Sequence, residues 1–274
     1  MKTRIIAAAV LLPLLLIVLL ALPAWGVGIF VSLVCAVGAY ELLYGTGLVK
    51  HPRLIAYTML MALSVGLCAA FGADRVWSLA ASFVFCCLLF GEMLLSKGKL
   101  RFEKVLLCVG GGMLIPYLLC AIVRIRHMDL GVYYVLFPFA MAFLSDSGAY
   151  FVGIFFGKHK LAPSISPKKT VEGFFGGIAG GVLGMMIFGL VLYVCFDLRV
   201  NFLYAVIYGA LGSLASVLGD LTFSVIKRQT GIKDYGNLIP GHGGVLDRFD
   251  SISIVGPLTE ILLIILPFAE NTHG

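Results

Sequence analysis

What this sequence lacks most is charge. Only 12% of its 274 residues are Asp, Glu, Lys or Arg, about half the roughly 25% that a soluble domain carries. That shortage excludes a polar coat around a domain of this size. The solvent for most of the surface must be lipid, so the chain reads as an integral membrane protein. Metal-ligand spacing of cysteine is also missing. The 7 cysteines sit in apolar runs without a CxxC, and are expected to be small buried hydrophobes. No internal repeat is convincing, which removes the internal symmetry typical of secondary transporters.

What is present is mostly hydrocarbon. The chain is 61% hydrophobic, with a mean hydropathy of +1.05. Apolar runs long enough to cross a bilayer fall at 5–22, 24–41, 54–71, 76–95, 105–123, 131–156, 171–196, 201–226 and 251–268. The expected fold class is all-α, a polytopic protein of about nine transmembrane helices. Helix is required more by burial of backbone polar groups than by propensity. The first run is longer than the core of a signal peptide, and Pro23 makes "ALPAW" a poor cleavage site, so it is kept as a helix. The glycines of "GGGM" and "GGIAGGVLGMM" are expected to bring helix backbones close together. Residues 1–140 hold helices 1–5 and the start of helix 6. Residues 141–274 form a C-terminal region with a site at one membrane face.

Sidedness follows from Lys and Arg. With alternating ends, 16 of the 20 fall on one side and 4 on the other. The rich side is expected to be cytoplasmic, with the N-terminus inside. Arg124 and Arg126 are a local exception. The net charge of +6 is mostly this bias, and no nucleic-acid partner is expected.

Polarity gathers late. Two long polar loops, Gly157–Thr170 and Lys227–Asp250, lie on the cytoplasmic side, and loops of such length are usually functional or disordered. Asp146 lies within an apolar run in "SDSGAY". Asp220 lies near the cytoplasmic end of helix 8, where a carboxylate is costly unless paired with a cation or a metal. Asp247 and Asp250 flank Arg248. If helix 9 starts there, both project from one side of its first turn, as metal ligands or as helix caps. "PGHGG" surrounds His242 with glycines, which can form an anion-binding nest or a plain tight turn. Thr170 is a plausible N-cap with Glu172 in the first turn, and Lys168 and Lys169 just before it could bind phosphate. Glu41, Glu92 and Glu260 could be structural partners of buried cations.

Acidic clusters that hold a divalent metal, with cations and N–H groups that hold polyphosphate, suit metal-assisted phosphoryl or nucleotidyl transfer. A secondary transporter using Glu41, Glu92, Glu260 and Asp146 is one alternative. Another lipid-linked nucleotidyl- or phosphotransferase is a second.

The stretch "SVIKRQTGIKDYGNLIPGHGGVLDRFD", Ser224–Asp250, resembles the signature of the phosphatidate cytidylyltransferases, or CDP-diacylglycerol synthases. It reads S-x-x-K-R, four residues, K-D, then P-G-H-G-G-x-x-D-R-x-D. "SDSGAYFVGIFFGKHKLAPSISPKKTVEG" is similar to the upstream region of that family. The resemblance implies transfer of CMP from CTP to phosphatidate, Mg²⁺ dependence with scope for a second cation, and a homodimer in a bacterial inner membrane. It implies catalytic roles for Asp247, Lys227 and His242. Asp220 and Asp247 become the first choice of metal ligands, and Asp146 and Asp250 the second. Lys168, Lys169, Thr170, Arg228, Lys233 and Arg248 would neutralise the triphosphate, and Gly241, Gly243 and Gly244 would cradle it.

Overall fold

Nearly every apolar run becomes a helix, because a helix satisfies its own N–H and C=O groups where water cannot. The computed structural model describes residues 2–239 and 241–271, with side chains described for 9–239 and 241–270. The side chains of Lys2 and Arg4 and all of Pro240 thus lie outside the described residues. The helices are α1 (Lys2–Ala21), α2 (Ala24–Tyr40), α3 (Pro52–Phe71), α4 (Arg75–Leu95), α5 (Phe102–Arg126), α6 (Phe137–Phe156), α7 (Val171–Phe196) and α8 (Phe202–Gln229). A short turn of helix, α9 (Leu246–Phe249), precedes α10 (Ile252–Ile265). Among the described residues, 7 helical spans are long and apolar enough to cross a membrane. The protein is an all-α, multi-pass membrane protein.

Two expectations change. The run 251–268 is not one spanning helix. Its helix has 14 residues, about 21 Å of rise, against a hydrocarbon core of about 30 Å. Pro267 has no N–H to continue the helix. The chain extends instead into a strand, Ala269–Asn271, paired antiparallel with Leu198–Val200. The loop 157–170 is also more ordered than its composition suggests. Lys160–Ala162 and Ser166–Thr170 pair as an antiparallel hairpin.

The chain divides into two units, each taken by itself. One is Met1–Val135 with Ile226–Phe249; the other is Leu136–Val225 with Asp250–Gly274. In the first, α2 and α3 touch where side chains are smallest. A Cβ on Gly28 would overlap Ala70, and one on Gly66 would overlap Ser32. Leu43, Leu54, Phe85, Leu89 and Val105 fill the core beside them. The "GGGM" segment is a π turn, Gly110–Leu114, within α5. The exception to the charge bias has a local cause. Arg126 donates to the carbonyls of Leu19 at 3.3 Å and Leu22 at 3.2 Å, at the end of α1. His127 Nε2 lies 3.3 Å from the Ala70 carbonyl, at the end of α3. Helix ends leave carbonyls without partners, and basic side chains there satisfy them and complement the dipole.

In the second unit, α6 and α7 meet through Gly148, Gly176 and Gly180, where a Cβ would strike the opposite backbone or a packed valine. Phe137, Tyr208 and Phe268 form an edge-to-face cluster with centroids 4.6 to 5.9 Å apart. The Tyr208 hydroxyl donates to the Leu266 carbonyl at 2.9 Å. This holds the end of α10.

Candidate functional site

The signature segment begins where α8 stops. Gly231 takes φ +72°, and the Ile232 N–H reaches back to the Lys227 carbonyl at 2.9 Å. That is the left-handed stop that glycine supplies at a helix C-terminus. Arg228 in the last turn donates to the Ile232 carbonyl at 3.2 Å. Lys227 turns inward. Its ammonium is 2.8 Å from Asp247 Oδ1 and 5.3 Å from the centre of the Tyr235 ring. Both side chains of the pair are buried, at 10% and 2% exposure. Asp247 Oδ2 accepts the N–H of Tyr235 at 2.8 Å and of Gly244 at 3.0 Å. A carboxylate has about four acceptor sites, and three are engaged here.

The glycine loop turns because its backbone must. His242 N–H closes onto the Ile239 carbonyl, and Ile239 N–H onto the Gly243 carbonyl, both at 2.9 Å. Gly241 and Gly243 take φ +76° and +84°, in the left-handed region. Much of the loop's donor capacity is spent inside the protein. The N–H groups of Val245 and Leu246 go to Glu41 Oε1 at 2.9 Å and Oε2 at 2.7 Å. Of the "PGHGG" stretch, the Gly244 N–H goes to Asp247, and the two amides that follow it go to Glu41. Glu41 starts a π turn, Glu41–Gly45, at the end of α2. Its partners are backbone amides rather than the buried cation expected from sequence.

What the loop turns outward is different. Lys233, Asp234, Asn237, His242, Gly243 and Arg248 line an open cleft of ≈ 500 Å³. Lys233 and Arg248 are exposed, and His242 Nδ1 is buried with no hydrogen-bond partner among the described residues. A buried ring nitrogen without a partner is rare in a finished interior and common where a ligand completes the site. A concave site with a few convergent polar groups is the usual form of a small-molecule pocket.

The second unit carries its own cluster. Thr170 caps α7, accepting the Gly173 N–H at 3.1 Å. Glu172 in the first turn of α7 accepts the N–H of Lys158 at 3.1 Å and the ring Nδ1 of His159 lies 2.6 Å away. It thereby ties down the base of the hairpin. Lys169 at the hairpin's end pairs with Asp220 at 2.5 Å, both side chains about a quarter exposed. Asp146 lies on α6 and is exposed. Lys168 is exposed. Asp250 lies in the turn between α9 and α10, where its Oδ1 accepts the Ser251 N–H at 2.7 Å. Because α10 begins at Ile252, neither Asp247 nor Asp250 is in its first turn, and the expected shared helical face is not formed.

Among the described residues, no group of three or more His, Cys, Asp or Glu gathers as a ligand cage. Mg²⁺ needs no such cage, since it binds through one or two carboxylates, waters and substrate phosphates. Asp146 and Asp220 fit that pattern. Asp220 already holds one cation, the Lys169 ammonium, and Asp146 is exposed on α6. Two of the carboxylates offered to a transporter reading have structural duties. Glu41 holds backbone, and Glu92 lies 3.3 Å from both Arg53 and the Tyr57 hydroxyl.

Residues 2–266 match the model of the cytidylyltransferase family. A protein of Staphylococcus epidermidis named phosphatidate cytidylyltransferase is 48% identical over 134 residues, 49% of this chain and 50% of that protein. The chain thus matches about half the length of that relative. Proteins of the same name from Staphylococcus saprophyticus and Bacillus subtilis are 41% and 38% identical, over 68% and 79% of this chain and 68% and 80% of their own lengths.

Proposed function

The chain belongs to the cytidylyltransferase family, and from that premise we propose that it transfers CMP from CTP to phosphatidate at the cytoplasmic face of a bacterial inner membrane. The products are CDP-diacylglycerol and pyrophosphate. The observation that carries the reading is the cleft around His242. Its loop is locked from inside by two buried carboxylates, and Lys233, Arg248 and His242 line a cleft that would admit a small polar ligand.

In the proposed reaction a phosphate oxygen of phosphatidate bonds to the α-phosphorus of CTP. The bond from that phosphorus to the bridging oxygen breaks, and pyrophosphate leaves with the electron pair. The lipid phosphate is already a nucleophile, so no covalent enzyme intermediate is needed. Positioning and charge neutralisation then supply most of the catalysis. Lys233 and Arg248 neutralise polyphosphate, and His242 Nδ1 offers one hydrogen bond to the nucleotide. In the other unit, taken by itself, Lys168 and Lys169 stand on a hairpin that Glu172 anchors and are candidate phosphate-binding cations. Lys227 serves by holding Asp247, and through it the Gly244 amide, rather than by touching substrate. Asp146 and Asp220 would hold Mg²⁺, which would supply the neutralisation of triphosphate charge that such transfers need. A homodimer belongs to the same reading.

The test is a labelled-nucleotide assay on purified protein in detergent with phosphatidate. Label on the α-phosphate of CTP should enter the lipid, and label on the γ-phosphate should leave as pyrophosphate. Lipid carrying γ-label would mean phosphoryl transfer and would overturn the reading.

A further inference from the structure

We infer that Glu41 is a positioning residue for nucleotide binding, holding the glycine loop in its binding geometry from the end of α2. The inference rests on the reading of the cleft as the nucleotide site. Glu41 is 4% exposed and lies more than two hundred positions from the loop in sequence. No cation is needed to explain its burial. Each carboxylate oxygen takes one backbone N–H, of Val245 at 2.9 Å and Leu246 at 2.7 Å. Those amides follow directly on Gly243 and Gly244.

The surrounding sequence is cut to fit this carboxylate. A Cβ on Gly236 would lie 2.5 Å from Oε1, and one on Gly244 would lie 2.5 Å from both oxygens. Gly45, at the end of the same π turn, would overlap the Tyr235 carbonyl if it had a side chain. Two glycines of the signature segment thus face the acid, and Gly45 clears the Tyr235 carbonyl beside it. A buried carboxylate with two N–H donors is a charge-assisted contact, stronger than a neutral one. It is also aimed. Releasing it frees the segment that carries His242 and Arg248, and leaves Asp247 as the remaining carboxylate anchor of the loop.

The experiment compares wild type with Glu41→Gln and Glu41→Ala in two readouts. The first is amide exchange of residues 241–246 in the free protein, which does not depend on any reaction. Glu41→Gln keeps the volume but turns one acceptor into a donor facing an N–H, so exchange there should rise about tenfold, and more in Glu41→Ala. The second is steady-state kinetics. KM for CTP should rise about tenfold in Glu41→Gln, while kcat and KM for phosphatidate stay near wild type. Where Glu41→Ala does not fold, Glu41→Gln carries the test. Unchanged exchange in folded Glu41→Gln overturns the inference. So does a fall in kcat together with thermal stability and no selective effect on CTP, the pattern of a merely structural residue. If wild type makes no nucleotide-linked lipid, the proposed reaction fails, and the exchange readout still decides whether Glu41 holds the loop.

Discussion

Lys227 Nζ lies 2.8 Å from Asp247 Oδ1 in a site where both side chains are at least nine-tenths buried. Through Asp247 the pair is tied to the Tyr235 and Gly244 amides of the signature segment. Removing one partner of a buried ion pair strands the other charge, at a cost of about 3–5 kcal/mol. Lys227→Met should therefore lower the melting temperature in detergent and abolish turnover. Asp247→Asn should do the same. Combined, the two changes should cost less than their sum, because no charge is left stranded. Strict additivity in the double-mutant cycle would show that the pair is not coupled.

Gly244→Ala separates crowding from charge. The added methyl meets both Glu41 oxygens, and overpacking of this kind costs about 1–3 kcal/mol. CTP turnover should fall at least tenfold, with the helical circular dichroism unchanged. A fully active Gly244→Ala would mean that the loop can move away from Glu41 without consequence.

The Lys169–Asp220 pair is of another kind. With about a quarter of each side chain exposed, it should contribute about 0–1 kcal/mol to stability. Lys169→Ala should melt within a few degrees of wild type yet lose most of its activity. Thermal unfolding and turnover on one preparation decide this. A large loss of stability with activity retained would make the pair structural.

Metal removal should act through the same unit. EDTA should stop turnover and Mg²⁺ should restore it. In Asp146→Asn and Asp220→Asn the Mg²⁺ concentration for half-maximal rate should rise several-fold, since each carboxylate is a candidate ligand of an ion that uses only one or two. A Mg²⁺ dependence identical to wild type in both variants would place the ion elsewhere.

The membrane helices were legible because a lipid solvent leaves the backbone few choices. Thr170 as a cap and Glu172 in the first turn were legible because capping is local chemistry. Three features were not. The hairpin at 160–170 has strands of 3 and 5 residues, too short for any alternation to show. The end of α10 depended on Pro267 and on a pairing strand at Leu198–Val200, where a hydropathy run sees only apolar residues. Glu41 stood out only as an acid in an apolar run. That signal demands a partner, but it does not say that the partner is the backbone of Val245 and Leu246, about two hundred residues away. The inward turn of Lys227 and Asp247 was illegible for the same reason. Motif spacing brings charged residues together but does not tell which face inward.

The most direct measurement is an amide-exchange footprint of CTP with Mg²⁺ on the wild-type protein, with ATP and an EDTA control alongside. The expected result is slowed exchange across residues 233–248 with CTP, weaker with ATP and lost with EDTA. A preparation that turns over CTP while exchange across 233–248 stays unchanged would contradict the assignment of the cleft as the nucleotide site.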